Sequence, residues 1–462
     1  MQLDLRELAQ RGPIHFVGIC GAGMSALAEM ALHFGARVTG CDLQVSSSAE
    51  RLKRLGAEIW QGHDPAHVEH AGAVITTAAV ALDIPELAAA REWKIPVIKR
   101  AYALASIVNR GTVIAVAGTH GKTTTTAMAA TILDEAGLAP TAFVGGRVAA
   151  WDGGLRLGGD EYYVVEADEY DRSFLTLRPT VGVVTTLEAD HLDIYGTLEG
   201  VQEAFAEFLS LLPKHGCAVI CADDEGARAL AGKQRSELLL YGIDDHSAQL
   251  RATNLENRGR SSRFTVTDHG ESLGDIVLGV PGVHNIRNAL AAVGAAQYAG
   301  VPFAAAQRAL AQFTGVGRRF QEIGRARNIV VIDDYAHHPT EIRASIAAAR
   351  SAYPRHRLVV VFQPHLFSRT RDFAPEFGAA LAGADVAWVT DIYAAREAPI
   401  PGVTGELITP SAGAHTRYIA DIDALTNAVL ADLRAGDVCV FMGAGNIDVI
   451  AHRVLTALAG DA

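Results

Sequence analysis

Short runs of β-branched and other apolar residues alternate along the whole chain with longer stretches whose apolar positions recur at helical spacing. That alternation predicts α/β domains on mainly parallel sheets, because a parallel crossover needs a helix between its strands. The runs fall into three clusters. The first holds a predicted strand Ile14 to Ile19, a glycine turn, a helix through Leu32 and a strand Ala36 to Asp42, and ends near the helical stretch Arg100 to Val108. The second has strands Val113 to Ala117, Tyr162 to Glu166 and Val181 to Thr186, with a helix Thr124 to Ala136 after the first of them. It also contains the Gly/Pro/Asn-containing stretch Gly279 to Asn288, and its polar, strand-like segment Ser247 to Asp275 predicts an added hairpin. The third follows a hinge-like linker, Phe313 to Phe320, and carries strands Asn328 to Asp333, Leu358 to Phe362, Val386 to Thr390 and Asp437 to Met442. The expected domains are 1–108, 109–316 and 317–462.

Length agrees with this division, since 462 residues exceed what one hydrophobic core organises. Half of the residues are apolar, enough for each domain to bury a core. The formal charge of -12 gives no global attraction to nucleic acid or anionic lipid, so an anionic substrate must be held by local basic groups. The five cysteines, Cys20, Cys41, Cys217, Cys221 and Cys439, are scattered and read as buried free thiols in a reducing compartment, without a metal-binding spacing. Residues Met1 to Gly12 lack the apolar core of a signal peptide, and no apolar run is long enough to span a bilayer. The expectation is a cytoplasmic protein without membrane insertion.

The chemistry begins where the strand Val113 to Ala117 opens into Gly118-Thr119-His120-Gly121-Lys122-Thr123 and then a helix. Glycines let backbone N–H groups turn inward, and the helix start adds partial positive charge, which together cradle phosphate. Lys122 is placed to reach the β- and γ-phosphates of ATP, and the Thr123 hydroxyl to ligate Mg²⁺. The general phosphate loop has glycine five residues before Gly121, where Val116 stands, so this loop is shortened and starts at Gly118. Two acidic segments follow at strand ends, Glu166-Ala167-Asp168-Glu169 and Glu188-Ala189-Asp190-His191. In a doubly wound sheet both sit at the carboxyl edge, where ligands bind. Carboxylates beside a triphosphate repel it unless a cation lies between, which makes Glu166 and His191 candidate Mg²⁺ ligands or their supports.

The first domain offers Gly18-Ile19-Cys20-Gly21-Ala22-Gly23, with Asp42 ending the next strand. A dinucleotide fingerprint would need glycine at position 20, where the backbone approaches a pyrophosphate most closely, and that residue is Cys20. The turn suits a nucleotide diphosphate, whereas hydride chemistry on NAD has no second support. A purely structural βα turn stays open. In the third domain, successive strand ends carry Asp334-Tyr335-Ala336-His337-His338-Pro339-Thr340-Glu341, then Gln363-Pro364-His365 followed by Arg369, then Asp391-Ile392-Tyr393. Arg369 is suited to a small carboxylate, and an adjacent acid or histidine to orienting an amine. Gly443-Ala444-Gly445-Asn446 reads as a structural turn.

In order, these motifs resemble the Mur ligase family over nearly the whole chain. His15-Phe16-Val17-Gly18-Ile19 with Gly21-Ala22-Gly23-Met24-Ser25, the loop Gly118 to Thr125, Glu166 to Glu169, Glu188 to His191, His284-Asn285-Ile286-Arg287-Asn288, Asp334 to Glu341, Gln363 to His365 and Tyr393-Ala394-Ala395 carry the likeness. The resemblance implies an N-terminal Rossmann-like domain for a UDP-sugar, a central P-loop ATPase α/β domain, and a mobile C-terminal Rossmann-like domain that closes on the others. It implies UDP-N-acetylmuramate and L-alanine as substrates, ATP and Mg²⁺ as cofactors, an acyl-phosphate intermediate, and a monomer or homodimer. By motif, Lys122, Glu166 and His191 would be catalytic, with Thr123, Glu166 and His191 at the metal. Gly118, Thr119, His120, Gly121, Lys122, Thr123, Thr124, Asn285, Arg319 and Asp334 would bind ATP. Gly18, Gly21, Ala22, Gly23, Met24, Ser25 and Asp42 would bind the UDP-sugar, and Tyr335, His337, His365 and Arg369 the amino acid. Two residues depart from the family pattern: Cys20 and Ala336 each stand where glycine is usual. Competing readings are a Mur ligase that attaches a preformed peptide in cell-wall recycling, a nucleotide-dependent regulatory ATPase, and an NAD oxidoreductase.

Overall fold

A computed structural model describes residues 4–45, 47–233, 235–395 and 397–460. Two compact units result. One comprises the chain up to Asn254 with Phe264–Val277 and Arg287–Phe313; the other comprises Leu255–Arg263, Leu278–Ile286 and the chain from Thr314 onward.

The first unit holds a five-stranded sheet and most of a ten-stranded one. A five-stranded parallel sheet runs in the order Glu58–Gln61, Val38–Asp42, Ile14–Val17, Ala73–Thr76, Val97–Lys99. Its middle strands Ile14–Val17 and Ala73–Thr76 are buried at every position, as expected where helices cover both faces. The strand from Ile14 stops at Val17, two residues earlier than the sequence predicts, because Gly18 adopts φ +75° and turns the chain. The order reverses between Ile14–Val17 and Ala73–Thr76, so the turn at Gly18 lies at the topological switch point of an open α/β sheet.

The ten-stranded sheet places Thr112–Ala117 between Val181–Val184 and Tyr162–Glu166, all parallel. The helix after it begins at Lys122 rather than Thr124, with Gly121 at its N-cap, which brings Lys122 and Thr123 into the first turn. At one end of this sheet the expected hairpin is instead three strands, Leu250–Arg258, Ser261–Asp268 and Glu271–Leu278. His269 and Gly270 both take positive φ, the geometry of a tight hairpin turn, and send a third strand back.

The second unit contains a six-stranded sheet: Gln321–Ala326, Ile329–Asp334, Asp437–Met442, Arg357–Phe362, Val386–Val389 and Thr416–Tyr418. The first pairs antiparallel to its neighbour and the others are parallel. Apolar clusters form on both faces, one around Ile332, Val360 and Phe377, the other around Val331, Val361 and Phe441. Cys41, Cys217, Cys221 and Cys439 are buried free thiols, whereas Cys20 is partly exposed, contrary to the expectation for that residue, because it sits in the glycine turn rather than within a strand. Among the described residues no helix is long and apolar enough to cross a membrane.

Candidate active site

The shortened loop is tied to the residues that follow the neighbouring strand Val181–Val184. Thr119 N–H donates to the Thr186 carbonyl (2.9 Å), His120 N–H to Thr186 Oγ1 (2.9 Å), and Glu188 N–H to Thr119 Oγ1 (2.9 Å). Gly118, at φ +137°, has no room for a side chain: a Cβ there would stand 2.0 Å from Thr185 Oγ1. A Cβ on Gly121 would stand 2.4 Å from Asn288 Oδ1.

Lys122 is folded back over the loop. Its ammonium donates to the Gly118 carbonyl (2.6 Å) and meets Glu169 Oε1 at 2.8 Å. Burial penalises the ammonium, but Glu169 together with Asp168 and Glu166 outweighs that and holds the lysine above its ordinary pKa. Burial raises the Glu169 carboxyl, and Lys122 pulls the other way. The Thr123 hydroxyl donates to Glu166 Oε1 at 3.1 Å, and the other oxygen of Glu166 accepts from Gly145 N–H at 2.6 Å. Thr124, next along the helix, is buried. His191, itself at positive φ, points Nε2 to within 3.8 Å of Glu169 Oε1 and packs edge-on against Tyr170. Glu169 thus brings Lys122 and His191 together, and Glu166 meets the adjacent Thr123. Hydroxyl and carboxylate oxygens on Thr123 and Glu166 are the hard donors that Mg²⁺ takes.

In the five-stranded sheet, Gly18, Gly21, Ala22, Gly23, Met24, Ser25 and Asp42 also converge. Asp42 reaches across from the next strand and accepts from Cys20 N–H at 2.9 Å, so this acid is engaged by the turn itself. Ser25 Oγ donates to the Ala22 carbonyl, and Met24 is buried beneath the turn. The Arg100 guanidinium lies over Gly23, where a Cβ would stand 2.8 Å from Nη1, and its Nη2 bonds Asp168 at 3.0 Å.

In the second unit, Tyr335, His337, His365 and Arg369 gather at the carboxyl edge of the sheet. Arg318 and Arg319 stack on the Tyr335 ring, each 5.0 Å from its centroid. His337 meets Tyr335 and His365 edge-on at 5.4 and 6.0 Å, and His365 stacks on Tyr393 at 5.9 Å. Arg369 is buried with Nη1 3.4 Å from His365 Nδ1. Burial pushes Asp334 up to about 6, opposed by Ser345 and Arg319, and Asp333 up to about 7, opposed by Arg318. Asn285 belongs to this unit, with Nδ2 donating to the Pro281 carbonyl at 2.7 Å.

Sequence reasoning did not single out Glu169, Thr185, Thr186, Asn288 or Arg100. Glu169 lies in the acidic run Glu166–Glu169, but only the fold shows that its carboxylate, rather than that of Glu166, meets Lys122.

A phosphate loop flanked by acidic strand ends suits nucleotide chemistry, and the ligase class comes from comparison with known families. The profile described as Mur ligase family, catalytic domain, matches residues 13–112, the Mur ligase middle domain residues 116–296, and the Mur ligase, glutamate ligase domain residues 318–445. The chain belongs to the Mur ligase family. Among its relatives, the UDP-N-acetylmuramate–L-alanine ligase of Solidesulfovibrio magneticus is 46% identical, covering 94% of this chain and 95% of the relative. The enzyme of that name from Variovorax paradoxus is 44% identical over 96% of this chain and 94% of its own. The crystal structure of UDP-N-acetylmuramate-alanine ligase MurC from Thermotoga maritima superposes with a TM-score of 0.85 at 30% identity, covering 98% of this chain and 100% of that one.

Proposed function

We propose that this chain joins the lactyl carboxylate of UDP-N-acetylmuramate to L-alanine in peptidoglycan precursor synthesis, with hydrolysis of ATP to ADP and phosphate. The observation that carries the reading is the meeting of Lys122, Thr123 and Glu166 at one helix start, in a chain whose near full-length relatives bear that ligase name.

A carboxylate is a poor acyl donor because an oxide is a poor leaving group. Its oxygen attacks the γ-phosphorus of ATP, ADP departs, and the acyl phosphate now carries phosphate as leaving group. The alanine amine then attacks the acyl carbon, phosphate leaves, and the amine proton passes to solvent or a nearby base. Lys122 neutralises charge developing on the transferred phosphoryl group, and the N–H groups at the start of the helix from Lys122 position it. Thr123 and Glu166 would hold Mg²⁺, with His191 beside them; when bound, the ion offsets negative charge between phosphates and carboxylates. Residues 1–108 would take the nucleotide sugar at the Gly18–Ser25 turn and Asp42. Residues 109–316 would take ATP. Residues 317–462 would take the amino acid at Tyr335, His337, His365 and Arg369, with Arg319, Asp334 and Asn285 serving the nucleotide. The cytoplasm, where ATP is supplied, is the compartment this chemistry needs.

ADP release measured with UDP-N-acetylmuramate and each amino acid in turn tests the reading. Release should require both substrates, be strongest with L-alanine, and give a product heavier by one alanyl residue. ATP turnover indifferent to both substrates would refute a ligase. Turnover with a preformed peptide but not alanine would assign the chain to the activity of the murein peptide ligase mpl of Psychrobacter arcticus, whose structure superposes with a TM-score of 0.75 at 27% identity.

A further inference from the structure

The five-stranded sheet buries a set of polar side chains that the ligase reading does not use. Val17, Cys41 and Trp60 are register partners and so share one face, and Cys41 packs there with Val17, Val74 and Leu87. Against this face lies Glu86, completely buried near the start of the helix Pro85–Glu92. Its Oε1 accepts from Asp64 N–H (2.9 Å), is 3.0 Å from His67 Nδ1, and accepts from the Cys41 thiol (3.3 Å). Trp60 stacks on the His67 ring at 4.8 Å and fixes it. The other oxygen, Oε2, is buried without a hydrogen bond, although His63 Nδ1 is only 3.0 Å away. Cys41 Sγ stands 3.9 Å from the same nitrogen.

Two electronegative atoms at 3.0 Å that are not aligned as donor and acceptor resemble two ligands aimed at a common point. The sulfur, nitrogen and carboxylate oxygen all lie within 4.8 Å of one another. In a tetrahedral zinc site, with bonds of about 2.0–2.3 Å, ligand atoms end up about 3.3–3.6 Å apart, and the two separations made by His63 Nδ1, 3.0 Å to Glu86 Oε2 and 3.9 Å to Cys41 Sγ, lie within a few tenths of an ångström of that. We propose that Cys41, His63 and Glu86 form a binding site for a borderline-soft divalent transition metal such as zinc, in the first domain and apart from the phosphate loop.

Charge supports the assignment. A divalent ion with one thiolate and one carboxylate is neutral, which suits a buried position. Binding converts the Cys41 thiol to thiolate and releases its proton to solvent. His63 binds through the Nδ1 lone pair of its Nε2–H tautomer. His67 and Asp64 N–H act on Oε1 and orient the carboxylate, as partners of metal-bound carboxylates commonly do. The His63 side chain is 21% exposed, so a fourth coordination position can be reached by water. Mg²⁺, which prefers oxygen, would not compete for a thiolate and an imidazole.

The test is titration of metal-free full-length protein with Co²⁺ in excess Mg²⁺. A thiolate-to-cobalt charge-transfer band should saturate at one equivalent, with proton release, and be abolished when Zn²⁺ is added. Cys41→Ser should remove the band, while Cys20→Ser and Cys439→Ser keep it. Glu86→Gln should weaken binding at least about tenfold; His63→Ala, at a partly exposed position, gives the same readout should the buried substitution prevent folding. Absence of the band, or its survival in Cys41→Ser, would overturn the proposal.

Discussion

Replacing Glu169 with glutamine isolates what the buried pair at the phosphate loop contributes. The Lys122 and Glu169 side chains are 14% and 4% exposed and 2.8 Å apart, so neither can recover full hydration when the other is removed. Breaking a buried ion pair from one side typically costs about 3–5 kcal/mol, because a charge is left without its partner. The Gly118 and Thr119 carbonyls still accept from the ammonium, at 2.6 and 3.3 Å, which places Glu169→Gln at the low end, about 3 kcal/mol. Removing both charges, in Lys122→Met with Glu169→Gln, should return stability to within about 1 kcal/mol of the parent, since desolvation and attraction then vanish together. The assay is urea unfolding of nucleotide-free protein, followed by the fluorescence of Trp60, Trp93 and Trp151 in the first unit. A single variant within about 0.5 kcal/mol of the parent, or a double variant less stable than the single, would show that the pair is solvated and the reasoning wrong.

Gly118→Ala should abolish nucleotide binding in a calorimetric titration while the far-ultraviolet circular dichroism is retained, because a Cβ 2.0 Å from Thr185 Oγ1 forces the loop away from its hydroxyl braces. Arg369→Ala should raise KM for L-alanine about tenfold or more, the scale of a hydrogen bond to a charged group, with little effect on ATP binding; unchanged alanine dependence in steady-state kinetics would remove Arg369 from the pocket. Asp333, raised to about 7 by burial, binds its proton more tightly folded than unfolded, so its contribution to stability falls as pH rises from about 4 through 7. Asp333→Asn should flatten that decline when urea unfolding is followed across this range, and a parent with no such decline would contradict the assignment.

Much of the architecture was legible because buried parallel strands read as short apolar runs. Tyr162–Glu166, Asp437–Met442 and the helix Arg100–Val108 begin and end where the pattern places them. Polar, half-exposed strands were harder to see: Ser247 to Asp275 showed strand character but hid its third strand behind a turn whose first residue, His269, is not a usual turn former. Loop motifs were legible because phosphate chemistry restricts residue type and spacing. The partners around them were not. Glu169 acts through its position beside Lys122, which is set by the pairing of Thr112–Ala117 with Tyr162–Glu166. Cys41, His63 and Glu86 have no metal-binding spacing at all; a strand, the loop after the next strand and a helix packed on the sheet bring them into reach.

Arg100 has a wider consequence. One guanidinium covers Gly23 in the first turn and binds Asp168, two residues beyond Glu166. An anion settling on the turn would draw on the same cation that Asp168 now holds, leaving that carboxylate to find a new counter-charge near the phosphate loop. If the turn and the phosphate loop both take anions, as proposed, the two draw on this one guanidinium in common. Whatever free energy one ligand gains or loses through Arg100 must reappear, with equal size, in the affinity of the other.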